Sequence, residues 1–161
     1  MKAPLSMLIQ PRTDGFIPYC VVAGLVALTG SLAASGLVSY FWPQQAAAVP
    51  GWLDYPAPYL RLLVATGMET IAIGALAETL MRLRVPSAVA TLTLAISFAT
   101  LSSALLDPSF FAPNACTYLI AAGSYFAWQE RSEWHASAAI AIPILLVNSV
   151  GFALEALQGG A

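Results

Sequence analysis

Residues 60–84 read LRLLVATGMETIAIGALAETLMRLR, an apolar stretch of membrane-crossing length with one glutamate, Glu69, near its middle. A hydrocarbon core about 30 Å thick is crossed by about 20 residues of helix. A carboxyl at that depth costs about 2.5–3.5 kcal/mol on insertion scales, so it faces protein or a polar cavity and takes a partner there. The remaining apolar segments are expected to form the package around this helix.

Those segments come in blocks of similar length rather than short amphipathic pieces. Hydrophobic residues make up 59% of the 161 residues and charged residues 9%, against about 25% charged in soluble domains. A water-soluble fold of this size needs a charged surface that the chain lacks. The expected class is therefore an all-α, polytopic transmembrane helical bundle, a single domain over residues 1–161. Six Lys and Arg stand against eight acids, with no basic patch for nucleic acid and no run of like charge. Residues 1–15 are mildly basic, but the apolar block after them, 16–42, is far longer than a secretory h-region of about 7–15 residues. It reads as a retained first span. Two cysteines, Cys20 and Cys116, and one histidine, His135, do not make a usual four-ligand zinc site.

Five spans follow, at about 16–42, 60–83, 87–106, 114–129 and 137–157. The fourth is short: sixteen residues reach about 24 Å. It either borrows from Phe110–Pro113 or forms a re-entrant segment, leaving four full spans. Between the first two lies a loop with Trp42, Trp52, Tyr55 and Tyr59, aromatic types that sit at membrane–water interfaces. A cytoplasmic N-terminus puts Lys2, Arg12, Arg82, Arg84 and Arg131 inside and leaves Arg61 outside. The bias of basic residues thus favours an inner (cytoplasmic) membrane protein with its N-terminus in the cytoplasm.

With this register the first span has its middle near Thr29–Ser31, the second near Glu69–Thr70, the third near Ser97 and the last near Asn148. Hydrogen-bonding groups at one depth in hydrocarbon gain by meeting each other, so a central polar layer holding Glu69, Ser97 and Asn148 is expected. Thr93, Ser97 and Thr100 form one hydroxyl stripe, and Asn148, Gly151 and Glu155 share a face. Gly30/Ala34 and Ser31/Ser35 are small pairs that allow close helix approach. Glu69 and Glu78 are nine residues apart, on opposite sides of their helix, so they are not an acid–base pair. Glu78 instead precedes Arg82 by four residues, the favourable order for a helix ion pair. Glu69, Ser97, Asn148 and His135 are the candidate cofactor contacts. Glu69 would meet a quinone, a lipid or a proton, or else fix helix packing. A lone His135 would be at most one axial ligand to a haem or pigment shared with another subunit.

Gly67-Met-Glu69 followed by Gly74, then Arg82 and Arg84 before a third span containing Ala88 and Ala90, resembles the DoxX-like/MauE group of small membrane proteins. The resemblance covers about residues 25–106 and includes the SGLVSYFWP end of the first span. It implies a role in membrane redox systems, such as a small subunit of a quinone-linked oxidoreductase, with Glu69 carried over and Gly67 and Gly74 as packing residues. Departures are the aromatic Tyr40, Phe41 and Trp42, where the group has a basic residue, and a fifth span beyond the usual four. The first functional expectation is a small integral subunit of a quinone-linked, electron-transfer membrane complex, anchoring other membrane subunits and not catalytic on its own. The alternatives are a purely structural subunit of a respiratory or photosynthetic assembly, and a small transporter or channel.

Overall fold

The computed structural model describes residues 10–12, 15–41, 58–105 and 107–159, with the side chains of 58, 59, 61 and 155–159 excepted. Five α-helices follow one another: α1 Phe16–Phe41, α2 Pro58–Arg82, α3 Ser87–Leu105, α4 Phe111–Trp128 and α5 Glu133–Gly159, with a 3-10 turn at Pro108–Phe110 before α4. Four of them, α1, α2, α3 and α5, are long and apolar enough to cross a membrane. The expected interfacial loop with Trp42, Trp52 and Tyr55, together with Lys2 and the Tyr59, Arg61 and Glu155 side chains, lies outside the described residues.

Local chemistry sets the helix ends. Proline stands at the first position of α2, where its missing N–H costs least. At the end of α2 the Arg84 N–H donates to the Met81 carbonyl and the Val85 N–H to the Leu80 carbonyl, the paired bonds of a Schellman cap. The cap requires a left-handed residue, and Arg84 fills it at φ 59°. Before α4, the Asp107 carboxylate accepts from the Ser109 N–H (2.9 Å) and hydroxyl (2.5 Å). These bonds hold the Asp107 carboxyl below its ordinary range, the hydroxyl bond being the larger cause. The last helix begins at Glu133 rather than 137, because the Ser132 hydroxyl accepts the His135 N–H at 3.3 Å and so starts the helix inside the charged cluster.

Contacts fix the stacking order. The Tyr19 hydroxyl meets Ser124, Gly30 faces Cys116 and the Arg12 N–H donates to the Ala127 carbonyl, so α1 and α4 run antiparallel. The fourth helix therefore crosses the bundle and does not turn back as a re-entrant segment. It takes up Phe111–Pro113 and has 18 residues, about 27 Å at 1.5 Å per residue. It is also the centre of the molecule. Ten of its 18 residues are buried, and α1, α3 and α5 all pack on it, while α2 rests on α5 and α3. The Glu69 helix, expected at the centre, lies on the flank.

The packing is inverted relative to a soluble protein. Buried positions are dominated by alanines, among them Ala77, Ala90, Ala99, Ala121 and Ala139, whereas Ile17, Val21, Leu63, Met68, Ile71 and Ile96 are exposed. Small residues inside let backbones approach, and large aliphatic residues outside meet lipid tails. Gly24 shows the closeness needed: a Cβ there would stand 3.1 Å from the Leu146 side chain of α5. This is a multi-pass membrane bundle.

Candidate functional site

Glu69 is carried inward by the face of α2 that holds Thr66, Ile73 and Ala77, all buried. One carboxylate oxygen, Oε1, accepts a hydrogen bond from the Tyr118 hydroxyl of α4 at 3.0 Å. The same hydroxyl lies 3.1 Å from the Ser102 hydroxyl of α3. A phenol has one proton, and here it points at Glu69, so Ser102 is the donor to Tyr118. The result is a directed chain, Ser102 to Tyr118 to Glu69, that ties α3, α4 and α2 together. The Tyr118 ring is fixed by Phe98, with centroids 5.5 Å apart. The other carboxyl oxygen, Oε2, is buried and makes no hydrogen bond among the described residues. Asn148 of α5 brings its amide beside the carboxyl.

Glu69, Ser102, Tyr118 and Asn148 line a half-open cavity of about 440 Å³, together with Ser31 and Ser35 of α1 and Leu62 and Ala65 of α2. Its walls are mostly apolar, and among the described side chains no Lys, Arg or His lines it. It occupies the half of the bundle nearer the Asp107 turn, away from the end that carries Arg12, Arg82, Arg84 and Arg131. Chemically, the site presents an acid, an amide and a phenol to whatever enters an otherwise greasy space.

The expected polar layer is assembled in part. Glu69, Asn148 and Ser31 share the cavity, whereas Ser97 does not reach it. Ser97 is exposed, together with Thr93 and Thr100, because α3 turns Thr91, Leu94, Ala95, Phe98 and Ala99 inward. The hydroxyl that α3 supplies is Ser102, five residues further on. His135 is at the other end of the molecule, 13 residues before Asn148, about 20 Å along α5. Its Nδ1 lies 2.7 Å from the Ser132 hydroxyl. Its ring meets Phe16 edge-on at 4.8 Å and stacks on Trp128 at 6.1 Å. Arg131 lies over the Trp128 ring and Arg12 over Tyr19. This cluster closes the arginine end of the bundle. Glu78 and Arg82 form the expected ion pair with both side chains exposed, worth about 0.3–0.5 kcal/mol.

Tyr118 and Ser102 were not among the sequence candidates. A signal for them exists in the hairpin itself: Ser102 and Tyr118 are equally distant from Phe110 in the turn, so antiparallel packing of α3 and α4 brings them to one depth. Reading it required the fourth segment to be a full helix in register with the third. No protein-family model matches the sequence, and no curated protein or solved structure is significantly similar to it. The likeness to the DoxX-like group thus stands on its Gly, Glu and Arg residues alone.

Proposed function

We propose that this protein is a small integral subunit of a quinone-linked redox complex of the inner (cytoplasmic) membrane, holding partner subunits and contacting a quinone at Glu69. The observation that carries the reading is the Glu69 carboxyl, held by Tyr118 on one oxygen and set, with Asn148, in the wall of a half-open cavity inside the bundle. A quinone head needs groups that donate and accept hydrogen bonds and exchange protons, on an apolar wall for its ring and tail. Glu69, Tyr118 and Asn148 supply the first, and Leu28, Leu32 and Leu62 the second. The grouping of Arg12, Arg82, Arg84 and Arg131 at one end supports a cytoplasmic N-terminus. The resemblance to the DoxX-like group adds to the same reading. The protein is not catalytic on its own under this proposal; the electron-carrying centre belongs to a partner.

The test is to isolate the tagged chain with its partners in mild detergent and measure quinone reduction by the assembly. Glu69→Gln keeps the size and an acceptor oxygen for Tyr118 but cannot exchange a proton, so turnover is expected to fall by about a hundredfold or more, the range of a lost proton-transfer group. A monodisperse chain with no redox partner, or an assembly indifferent to the substitution, sinks the reading.

A further inference from the structure

We infer that α5 is hinged at Pro143 and that its outer half, the part nearer the Asp107 turn, is an arm that closes on Glu69 by donating the Asn148 amide to Oε2. Proline in a helix interior withdraws one N–H, here from the Ala139 carbonyl one turn back, and its ring presses on that carbonyl. Pro143 stands inside α5 and is buried, so the break lies within the packed bundle. Packing changes at the same point. Ala136, Ala139, Ile140, Pro143 and Ile144 are buried, whereas no residue from 145 to 154 is. The inner half is clamped among Trp128 of α4, Cys20 of α1 and Ile73 of α2. Just beyond it Leu146 rests on Gly24 of α1, whose bare backbone serves as a fulcrum. This motion is independent of any redox role.

The arm has an unmade bond within its reach. Oε1 of Glu69 takes its hydrogen bond from Tyr118, and Oε2 is buried with none among the described residues. The Asn148 amide stands beside the carboxyl without closing on Oε2. A buried acceptor left unpaired is costly, and Oε2 has no accessible surface through which water could reach it. A short advance of the amide makes the bond. Room for that advance lies on the arm's inner face: Val147, Asn148, Val150 and Gly151 line the half-open cavity, and a Cβ at Gly151 would meet nothing within 4 Å. Asn148 is five residues past Pro143 and Leu154 eleven, about 7.5 and 16 Å along the helix. A rotation that moves Asn148 by about 1 Å therefore moves Leu154 by about 2 Å. Closing satisfies Oε2 and narrows the cavity, whereas filling the cavity holds the arm out. Cavity and bond thus compete for the position of one half-helix.

The experiment places spin-label pairs on the full chain in lipid nanodiscs, with Cys20 and Cys116 replaced by alanine, and reads distances by electron paramagnetic resonance. Leu63→Cys with Leu154→Cys reports the arm against α2, and Leu76→Cys with Trp134→Cys reports the clamped half. All four side chains are exposed. The arm pair is expected to show two distances about 2 Å or more apart, and the clamped pair one. Pro143→Ala restores the missing N–H and is expected to leave the arm pair at a single distance. Asn148→Leu keeps the size but cannot donate, so the shorter distance should be lost. Gly151→Leu sets a side chain into the cavity and should also remove it, without touching the bonding groups; it carries the test if either of the other variants fails to fold. A single distance in the wild-type arm pair, or equal spread in the two pairs, overturns the inference. So do two distances that persist in Pro143→Ala, or an arm distribution that neither Asn148→Leu nor Gly151→Leu changes. Two arm distances together with quinone-linked turnover indifferent to Glu69→Gln refute the redox reading alone. Lost turnover in Glu69→Gln with a rigid arm refutes this inference alone.

Discussion

Tyr118→Phe isolates the hydrogen-bonded chain from the packing around it. The substitution removes one oxygen and keeps the ring that packs against Phe98, so no cavity is created. Two bonds are lost, one donated to Glu69 at 3.0 Å and one accepted from Ser102 at 3.1 Å. Bonds of this kind inside membrane bundles average about 0.6 kcal/mol and reach about 1.7. The expected loss is therefore about 1.2 kcal/mol, with a ceiling of about 3.4 if both bonds are at the upper limit. Ser102→Ala removes only the bond to Tyr118 and should cost about 0.6 kcal/mol. The measurement is reversible unfolding in mixed micelles by a denaturing detergent, followed by tryptophan fluorescence, for the wild type, both single variants and the double variant. If the chain runs from Ser102 through Tyr118 to Glu69, Ser102→Ala costs nothing further once Tyr118 is phenylalanine. The coupling energy then equals the full effect of the serine. Equal cost of Ser102→Ala in both backgrounds would refute the arrangement.

Two other perturbations test the helix ends. Arg84→Gly should stabilise the α2–α3 turn: a left-handed residue with a side chain costs about 1–2 kcal/mol and glycine's added chain entropy about 0.5–1. The net gain is about 0–1.5 kcal/mol, read as a raised unfolding midpoint, and a lowered midpoint would contradict the cap. Asp107 has its folded-state carboxyl held below the ordinary value of about 3.9 by the Ser109 hydroxyl and N–H. Its contribution is therefore complete above that pH and fades as pH falls through the lower folded value. The stability difference between wild type and Asp107→Ala should shrink on acidification below about pH 4; a gap unchanged from pH 6 to 3 would show that the carboxylate does not act through these bonds.

What could be read from the residues and what could not divide along a physical line. Span length and the scarcity of charge define the membrane bundle, because the bilayer sets a length and punishes charge whatever the packing. The same logic required a partner for Glu69 and placed Asn148 at its depth. Proline, Asp107 and the arginines mark helix ends to within a few residues, since capping is local. The choice of partner was not legible. In water, burial writes an alternation of apolar and polar residues onto a helix; in lipid both faces are apolar, so hydropathy does not say that Ser97 points out and Ser102 points in. The signal that remains is side-chain size, small inside and large outside, as the buried alanines and the exposed Met68, Ile71 and Ile96 show.

The most central helix is the one whose apolar stretch reads too short to span, because its first turn, Phe111–Asn114, mixes proline and asparagine with apolar residues. The fourth carries Asn114, Thr117, Tyr118 and Ser124, groups that a lipid-facing helix could not bring into hydrocarbon at little cost, and its modest hydropathy follows from its shelter by the others. The chain alone determined that a carboxyl sits inside a membrane bundle and needs company. Only the tertiary structure decided that α4 provides it, through Tyr118, because partner choice depends on which helices touch, and that is set by size and shape rather than by affinity for water.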